Sequence, residues 1–315
     1  MEYRQLAATG QRVSSIGLGT WQLAGMMGSV DRRESTALIR TAIERGITFI
    51  GSAELYGDSE QQVGKALTGG YRDKVFLATK VSSDFTAAGV KNALKNSLKA
   101  LGTDWIDLYQ VHRYDPHVPV EETLQAMAAL QEQGFIRYCG VSNFTVEQLQ
   151  RAQRVLPIVS NQINYNALNR SPEKRMIDYC RQERIAVISH SSLAKGILSG
   201  TYASDHVFAS NDERSTFAGY SGDLFGSYLA VAGELKQVAE SEGISSTQAA
   251  IIWLLAREEV ASVLVGPKTV SQLEESTEAL AALQPARRSA LRQRMNAILD
   301  SGDLPPLCPF PNQLV

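Results

Sequence analysis

Eight short segments rich in β-branched and aromatic residues recur along the chain, and most are followed by a stretch with helical spacing. Several of them lack the polar alternation of a half-exposed strand, as expected for parallel strands covered on both faces. The segments are VSSIGLGTW, TFIGSA, KVFLATKV, WIDLYQVH, FIRYCGVSN, IVSNQINY, IAVISHSSL and VASVLVG. This repeated alternation restricts the chain to an α/β fold with a parallel sheet.

Helical spacing is clearest in three of the intervening stretches, where apolar side chains recur every three or four residues. They are Ile39, Ala42 and Ile43 in the first stretch, Val90, Leu94, Leu98 and Leu101 in the second, and Val120, Leu124 and Met127 in the third. Gly46, Gly102 and Gly134 stand where helices should end, because glycine accepts the left-handed C-cap conformation. Thr145 and Asp31 are placed to cap helix N-termini.

Eight strand–helix units predict a (β/α)₈ TIM barrel rather than an open doubly wound sheet. A G-x-G-x-x-G motif does not follow any predicted strand: GLGTWQ supplies two of the glycines, but no helix with a third follows closely. A length of 315 residues would also suit two domains, yet such barrels often use this length for one, and no linker interrupts the sequence. We therefore expect a single domain over residues 1–315.

Two segments lie outside the repeat. The stretch from Ser199 to Ser227 is rich in glycine and serine and too long for a tight turn, so it predicts a lid or a loop that clasps a cofactor. Near the C-terminus, PARRSALRQRMNAILD predicts an extra helix, and SGDLPPLCPFPNQLV an extended tail.

The bulk composition argues against several kinds of partner. A formal net charge of −2 gives no reason to expect nucleic acid or an acidic membrane surface. Cys139, Cys180 and Cys308 are odd in number and widely spaced, which fits reduced thiols rather than a disulfide framework. Neither a signal peptide nor a long apolar run is visible, so we expect a cytoplasmic protein. The sequence does not indicate an oligomeric state.

Three polar residues end or directly follow successive apolar segments. Tyr56 is the second-last residue of TFIGSAELYG, Lys80 ends KVFLATK, and His112 ends WIDLYQVH. Because parallel strands of a barrel end at the same mouth, a phenol, an ammonium and an imidazole would converge there. Taken singly, Tyr56 would be a half-buried aromatic and His112 a core histidine. Together they suit the delivery of a proton to a carbonyl oxygen.

Over nearly its whole length the chain resembles the aldo-keto reductases, which are NAD(P)H-dependent barrel oxidoreductases. YRQLAATGQRVSSIGLGTWQLAG resembles the opening hairpin and first strand of that family, and GITFIGSAELYGDSEQQVGKAL resembles its tyrosine-bearing signature. The later segments ATK, QVHR, GVSNF, NQINYN, HSSLAKGILSG and VGPKTVSQLEES follow in the family's order. Each match is weak alone, whereas the ordered set is specific.

The resemblance assigns catalytic roles position by position. It makes Tyr56 the general acid, and it makes Lys80 the ammonium that helps the phenol to ionise. It makes His112 the group that hydrogen-bonds the carbonyl oxygen and orients the substrate. Trp21, beside Thr20 at the end of the first strand, would form an apolar wall of the pocket, although it would also suit the core.

At one catalytic position the sequence departs from the family pattern. Gly51 stands five residues before Tyr56, where the family has an aspartate that pairs with the lysine. Without that carboxylate Lys80 would be partly desolvated and unpaired, which lowers the pKa of a lysine and loosens its position. Glu54 is a possible substitute, but it lies three residues after Gly51. Along a strand, an odd offset directs the side chain to the opposite face of the sheet. Gly51 implies a slower reductase, an altered reaction or an engineered substitution.

The resemblance also implies the nicotinamide site. Ser142, Asn143 and Gln162 would hydrogen-bond the nicotinamide carboxamide, although Ser142 would also suit a plain strand cap. His190 replaces the tyrosine that normally stacks on the nicotinamide ring; an imidazole can still stack, but with less area. The residues implied for the pyrophosphate path are Ser191, Leu193, Lys195 and Gly196.

The segment VGPKTVSQLEES implies the adenosine end of the cofactor. Thr269 would cap the last barrel helix, whose N-terminal N–H groups favour an anion. Lys268 stands where the family places a basic residue for a 2′-phosphate, which argues for NADP(H); outside this motif it would be a surface lysine. The other positions implied around the adenosine are Gly266, Gln272, Glu275 and Ser276, the last in place of an asparagine.

Two functions stay open at this stage. The first is an NADPH-dependent reductase of an aldehyde, ketone or sugar-like carbonyl, with a small-molecule partner and neither nucleic acid nor membrane. The second is an NADP(H)-binding regulatory subunit or near-inactive member, as Gly51 could imply. A metal-dependent hydrolase is a distant third, because the histidines show no ligand pair at a recognised spacing. These histidines are His112, His117, His190 and His206.

Overall fold

The computed structural model describes residues 1–28, 30–302 and 304–307, and its centre is a closed barrel of parallel strands. An antiparallel hairpin of β1 (Tyr3–Gln5) and β2 (Arg12–Ser14) comes first. The barrel strands are β3 (Ile16–Gly19), β4 (Phe49–Gly51), β5 (Phe76–Val81), β6 (Ile106–Val111), β7 (Ile136–Ser142), β8 (Ser160–Asn164), β9 (Ala186–His190) and β10 (Val260–Val265). They pair in sequence order, and β10 closes the circle against β3, which confirms the predicted (β/α)₈ barrel.

A ring of helices covers the outside of the barrel. They are α1 (Arg32–Glu44), α2 (Ser59–Leu67), α3 (Ala87–Leu101), α4 (Val120–Glu132), α5 (Val146–Gln153), α6 (Met176–Gln182), α7 (Gly222–Ser241), α8 (Ser246–Leu255), α9 (Val270–Thr277), α10 (Ala279–Ala282) and α11 (Pro285–Ser301). Helix α11 is the predicted extra helix, and its Leu291 and Met295 are buried against the barrel's helical layer. None of the described helices is long and apolar enough to cross a membrane.

The predicted long loop is shorter than expected. Helix α7 begins at Gly222, because Phe225, Tyr228 and Ala232 pack one helical face onto the core, and the glycine- and serine-rich composition concealed that spacing. The loop that remains, residues 200–221, contains two short 3₁₀ turns and is called the lid loop below. Of the predicted tail, residues 304–307 are described, while residue 303, Cys308 and the rest to 315 lie outside the described part.

The two ends of the barrel differ in chemistry. Phe49 and Phe76 begin β4 and β5 and stack with ring centroids 5.8 Å apart. Leu6 and Val13 of the N-terminal hairpin join them in one buried cluster. The hairpin therefore closes the end where the strands begin, and the polar side chains gather where the strands end, as is usual for sites in such barrels.

The predicted helix caps are present. Asp31 accepts the backbone N–H of Arg33 at the start of α1. Thr145 and Gln148 form a reciprocal capping box at the start of α5. Gly46, Gly102 and Gly134 have φ angles of +90°, +63° and +82°, so each adopts the left-handed conformation expected beyond a helix C-terminus.

Thr145→Ala should lower the free energy of unfolding by about 1 kcal/mol, because it leaves the N–H of Gln148 without its cap. Urea denaturation followed by circular dichroism measures the change. Thr41→Ala is the matched control, since Thr41 lies within α1 and its hydroxyl makes no hydrogen bond to any described residue. An equal loss in both variants would contradict the cap argument.

Candidate active site

Every residue that the sequence assigns to catalysis or cofactor binding lines one cavity of about 1430 Å³. The cavity opens at the end of the barrel where the strands finish. It brings together Thr20, Trp21, Gly51, Tyr56, Lys80, His112, Ser142, Asn143, Gln162, His190, Ser191, Leu193, Lys195, Gly196, Gly266, Lys268, Gln272, Glu275 and Ser276.

Tyr56 lies in the turn after β4 rather than at the end of the strand, because β4 stops at Gly51. Its ring meets Trp21 edge to face, with centroids 4.6 Å apart, and meets His112 similarly at 5.6 Å. The Lys80 ammonium nitrogen lies 5.3 Å from the centre of the Tyr56 ring. Trp21 opens a 3₁₀ turn and does not end the first strand, yet it still forms a wall of the cavity.

Lys80 is buried without a carboxylate partner. It is 1 % exposed, and its Nζ donates one hydrogen bond, to the backbone carbonyl of Ser52 at 2.8 Å. Burial lowers the pKa of Lys80 to about 7, and the negative charge of Glu60 offsets only part of that effect. In the described part of the chain no salt bridge to Lys80 forms.

The two nearby carboxylates are directed to other partners. Oε1 of Glu54 accepts the backbone N–H groups of Ser82 and Ser83, at 2.5 and 2.8 Å, so Glu54 does not pair with Lys80. Oε1 of Glu60 accepts the hydroxyl of Thr79 at 2.6 Å. Both carboxylates serve the strand β5 and the segment after it instead of the Lys80 ammonium.

Gly51 leaves room inside the barrel. A Cβ added there would lie 3.4 Å from Cδ1 of Leu264 and 3.7 Å from Cε1 of Phe49, which are ordinary contacts. Gly51 pairs with Ala78 across β4 and β5, so it neighbours the segment that carries Lys80. Gly51 therefore forms part of the cavity lining, at the position where the resemblance predicts an acidic side chain.

The pKa of Tyr56 lies well above its ordinary value, chiefly because the phenol is buried and also because Glu213 is negatively charged. The lowering expected from Lys80 is thus not present in this arrangement. Burial, then the charge of Lys80, also holds the pKa of His112 well below its ordinary value. Its Nδ1 lies 2.5 Å from Oγ of Ser82, and the imidazole is neutral.

Four side chains form a polar corner beside this group. Oγ of Ser142 donates to the carbonyl of Gln162 at 2.8 Å, and Nδ2 of Asn143 donates to Oγ of Ser142 at 2.9 Å. Burial lowers the pKa of His190 to about 3, so its neutral ring donates from Nε2 to Oδ1 of Asn143 at 2.9 Å. The Asn143 side chain thereby holds His190 in place.

Two buried polar atoms in this corner have no partner among the described residues. They are Oε1 of Gln162 and Nδ2 of Asn164. Both atoms lie in the cavity wall or next to it. A primary carboxamide could donate its N–H to the unpaired Gln162 oxygen and accept a hydrogen bond from the unpaired Asn164 nitrogen. Asn164 was missed by the sequence reasoning, although it follows Gln162 at the two-residue spacing that places both side chains on one face of β8.

The segment after β9 turns sharply over the cavity. Ser191 and Lys195 have φ angles of +51° and +48°, in the left-handed region, and Gly196 has +106°. Nζ of Lys195 donates to Oε1 of Glu213 at 2.5 Å, and Nε1 of Trp21 donates to the same oxygen at 2.6 Å. Lys195 is therefore tied to the lid loop rather than free.

The lid loop also bridges to the segment after β3. The backbone N–H of Glu213 donates to the carbonyl of Met26 at 2.9 Å. Arg214 binds both carboxylate oxygens of Asp212, at 2.8 and 2.6 Å, and donates to the carbonyl of Met27 at 3.3 Å. Sequence reasoning missed these three lid residues; their signal was a run of three charges, Asp-Glu-Arg, in a stretch with few others.

The segment after β10 forms the far end of the cavity. Thr269 caps α9 by accepting the N–H of Gln272, as predicted, and Oε1 of Gln272 accepts the N–H of Lys268 at 2.8 Å. Nζ of Lys268 binds the carbonyl of Met27. An added Cβ at Gly266 would lie 2.7 Å from Oε1 of Gln22, so any larger residue there would displace the Gln22 side chain.

Arg113 is a further residue that sequence reasoning missed. It lines the cavity directly after His112, is exposed, and places its guanidinium 5.4 Å from the centre of the Phe85 ring. Its position next to the predicted histidine was the available signal. No group of three or more potential metal ligands occurs in residues 1–28, 30–302 and 304–307.

Comparison with known proteins gives a consistent result. Residues 15–292 match the model of the Aldo/keto reductase family. The chain is 38% identical over 292 residues to "Aldo-keto reductase YhdN" of Bacillus subtilis, covering 88% of each chain. It is 31% identical over 285 residues to "Aldo-keto reductase yakc [NADP(+)]" of Schizosaccharomyces pombe, covering 85% of this chain and 84% of the relative.

A solved structure agrees in fold. The glycerol dehydrogenase AKR11B4 from Gluconobacter oxydans superposes with a TM-score of 0.86 at 27% sequence identity. The match covers 98% of this chain and 98% of that one.

Proposed function

The chain belongs to the aldo/keto reductase family, and on that basis we propose that it is an NADPH-dependent oxidoreductase that reduces an aldehyde, ketone or sugar-like carbonyl to an alcohol. The single observation that carries the proposal is the convergence of Tyr56, Lys80 and His112 on one cavity. Beside them lie an unpaired hydrogen-bond acceptor and an unpaired donor that a primary carboxamide could satisfy. A proton donor and a hydride-carrying cofactor are the two components that carbonyl reduction needs.

The walls of the cavity fit NADP(H). Gln162 and Asn164 offer the acceptor and the donor that a nicotinamide carboxamide requires, and Ser142 and Asn143 complete that corner. The backbone N–H groups at the start of α9 and the side chain of Lys268 provide positive potential for an adenosine phosphate. A relative named with NADP(+) supports the same cofactor. The bound cofactor would supply the hydride.

The chain's own residues would carry the proton chemistry. The high pKa of Tyr56 keeps its phenol protonated at neutral pH, as a proton donor must be. His112, neutral and held through Nδ1 by Ser82, presents its other ring nitrogen for the carbonyl oxygen. Lys80, when protonated, stabilises the phenolate left after proton transfer. With NADP(H) bound, the lid loop would exclude water from the part of the cavity that holds the cofactor.

The substrate side of the cavity combines apolar and polar groups. Trp21 and Leu55 give apolar surface, while Ser82 and Arg113 offer hydrogen-bonding groups for hydroxyl-bearing substrates. This mixture supports a sugar-like or polyol-derived carbonyl, and the glycerol dehydrogenase is a structural relative. Turnover of NADPH against a panel of aldehydes, ketones and keto-sugars tests the proposal; tight NADPH binding with no turnover on any of them would reject it.

The same experiment addresses the second candidate function. Lys80 keeps one hydrogen bond and no carboxylate partner, which favours a cofactor-binding protein with weak catalysis over an efficient reductase. Tight binding of NADPH together with very slow turnover would identify that case. Within the proposal, residues 1–315 form one domain in the cytoplasm, where buried thiols such as Cys139 and Cys180 remain reduced, and the partner is a small molecule, not nucleic acid or a membrane.

Lys268→Met should weaken NADPH binding about fivefold, or by about 1 kcal/mol, and leave NADH binding nearly unchanged. The effect is modest because Lys268 is only half-buried and its ammonium also binds the carbonyl of Met27. Fluorescence titration of both cofactors measures it. Lys236→Met, on the exposed surface of α7, is the control. Equal weakening of NADPH and NADH would remove the basis for an NADP preference.

A further inference from the structure

Lys80 is a primary amine held in an unusual state. It lines the cavity although its side chain is almost fully buried, and its Nζ has a single hydrogen bond, to the carbonyl of Ser52. Glu54 and Glu60 are engaged elsewhere: Glu54 binds backbone N–H groups, and Glu60 binds the hydroxyl of Thr79. Nothing described in the structure fixes Lys80 as a permanently charged ammonium.

Gly51 lines the cavity next to the residue whose carbonyl binds this amine. Nζ of Lys80 lies 2.8 Å from the carbonyl oxygen of Ser52, the residue after Gly51, and Gly51 itself lines the cavity. An added Cβ at Gly51 would meet only Leu264 and Phe49 at ordinary contact distances. Gly51 and Lys80 therefore line the same cavity, and no acidic side chain stands at position 51 beside the amine.

The surroundings suit the amine as a nucleophile. Burial lowers the pKa of Lys80 to about 7, so a large share of the amine is uncharged at neutral pH. The ring of Tyr56 lies next to it, and that phenol stays protonated. An uncharged buried lysine beside a proton donor, in a cavity that admits carbonyl compounds, is the arrangement required for a Schiff base.

We propose that Lys80 forms a covalent imine with small aldehydes that enter the cavity. The Nζ lone pair forms a C–N bond to the carbonyl carbon, and the carbonyl π pair moves to oxygen, which gains the proton that nitrogen loses. The hydroxyl of the resulting carbinolamine takes a proton from Tyr56 and leaves as water, and the nitrogen lone pair forms the C=N bond. Water is the only other product, and the iminium returns a proton to the Tyr56 phenolate, so no oxidant or reductant is consumed.

The test uses the full-length chain without NADPH, with glycolaldehyde as the probe and sodium cyanoborohydride to reduce any imine to a stable secondary amine. Peptide mass spectrometry then compares modification at Lys80 with that at the exposed Lys91 and Lys95. We expect at least tenfold more modification at Lys80 at neutral pH. Modification of Lys80 no greater than that of the surface lysines would overturn the proposal.

Gly51→Asp supplies the matched variant. A carboxylate beside Lys80 keeps the amine protonated, so modification at Lys80 should fall about tenfold while Lys91 and Lys95 react as before. Undiminished modification in a folded Gly51→Asp chain would contradict the role of the vacated position. If that variant does not fold, the comparison of Lys80 with the surface lysines in the unmodified chain still decides.

The proposal rests on the same cavity as the proposed reductase, but the two fail separately. Trapping needs no cofactor, whereas turnover does. Turnover without trapping at Lys80 would reject the imine and leave the reductase intact. Trapping without turnover on any carbonyl would reject the reductase and support the imine.

Discussion

Tyr56→Phe should reduce the rate of carbonyl reduction by roughly 10²-fold or more and leave the dissociation constant for NADPH nearly unchanged. The substitution removes the phenolic proton and keeps the ring, so the contacts with Trp21 and His112 remain. The loss should therefore appear in kcat, because the removed interaction acts only in the chemical step. Steady-state kinetics and a fluorescence titration of NADPH on the same preparation measure the two quantities.

Tyr114→Phe is the matched control for this prediction. Tyr114 also lines the cavity, but its hydroxyl binds Arg151 on the surface, at 3.0 Å, and does not face the proposed reaction centre. We expect this variant to keep most of its turnover. A Tyr56→Phe enzyme that is as active as Tyr114→Phe would show that Tyr56 is not the general acid.

Gly51→Asp should raise kcat roughly tenfold or more, with little change in cofactor affinity. The backbone at Gly51 is not in the left-handed region, and a Cβ there makes ordinary contacts with Leu264 and Phe49, so the position accepts a Cβ without strain. Its carboxylate would keep Lys80 protonated and fixed toward Tyr56. Because the gain belongs to the chemical step, kcat and kcat/KM should rise together.

The pH profile gives a second readout of the same change. In the unmodified chain Lys80 loses its proton as the pH rises through about 7, so catalysis that depends on its charge declines above that pH. A carboxylate beside Lys80 raises its pKa and moves the decline to higher pH. Gly51→Asn introduces a side chain with the shape of aspartate but without its charge. It should neither raise the pKa of Lys80 nor move the decline in rate. A lower rate for Gly51→Asp would mark the glycine as adapted to its substrate.

The barrel and the members of the site could be predicted from the sequence because their signals are local. Uninterrupted apolar runs define strands such as β5 and β6, and polar residues at or just after the strand ends, such as Lys80 and His112, must converge once the barrel closes. The ordered family segments then supplied roles for residues whose chemistry is ambiguous alone, such as Gln162 and Lys268.

The features that escaped prediction depend on contacts between distant parts of the chain. The bond from Trp21 to Glu213 joins residues 192 positions apart, and no local pattern encodes it. The raised pKa of Tyr56 depends on burial and on that same Glu213, so its direction could not be read from the neighbouring lysine. The early start of α7 depends on packing against the core, which outweighs the local glycine and serine content.

The lid loop has a consequence for the lifetime of a bound cofactor. The loop follows β9 and contacts the segment after β3. These two strands are the neighbours of β10 in the barrel, and the segment after β10 carries Lys268. Opening the lid loop must break the buried Lys195–Glu213 pair, the Trp21 bond and the Arg214 contact with Met27 together. A dinucleotide beneath it would have a long residence time. Its escape would therefore set the upper limit on turnover once the chemical step at Tyr56 has been accelerated.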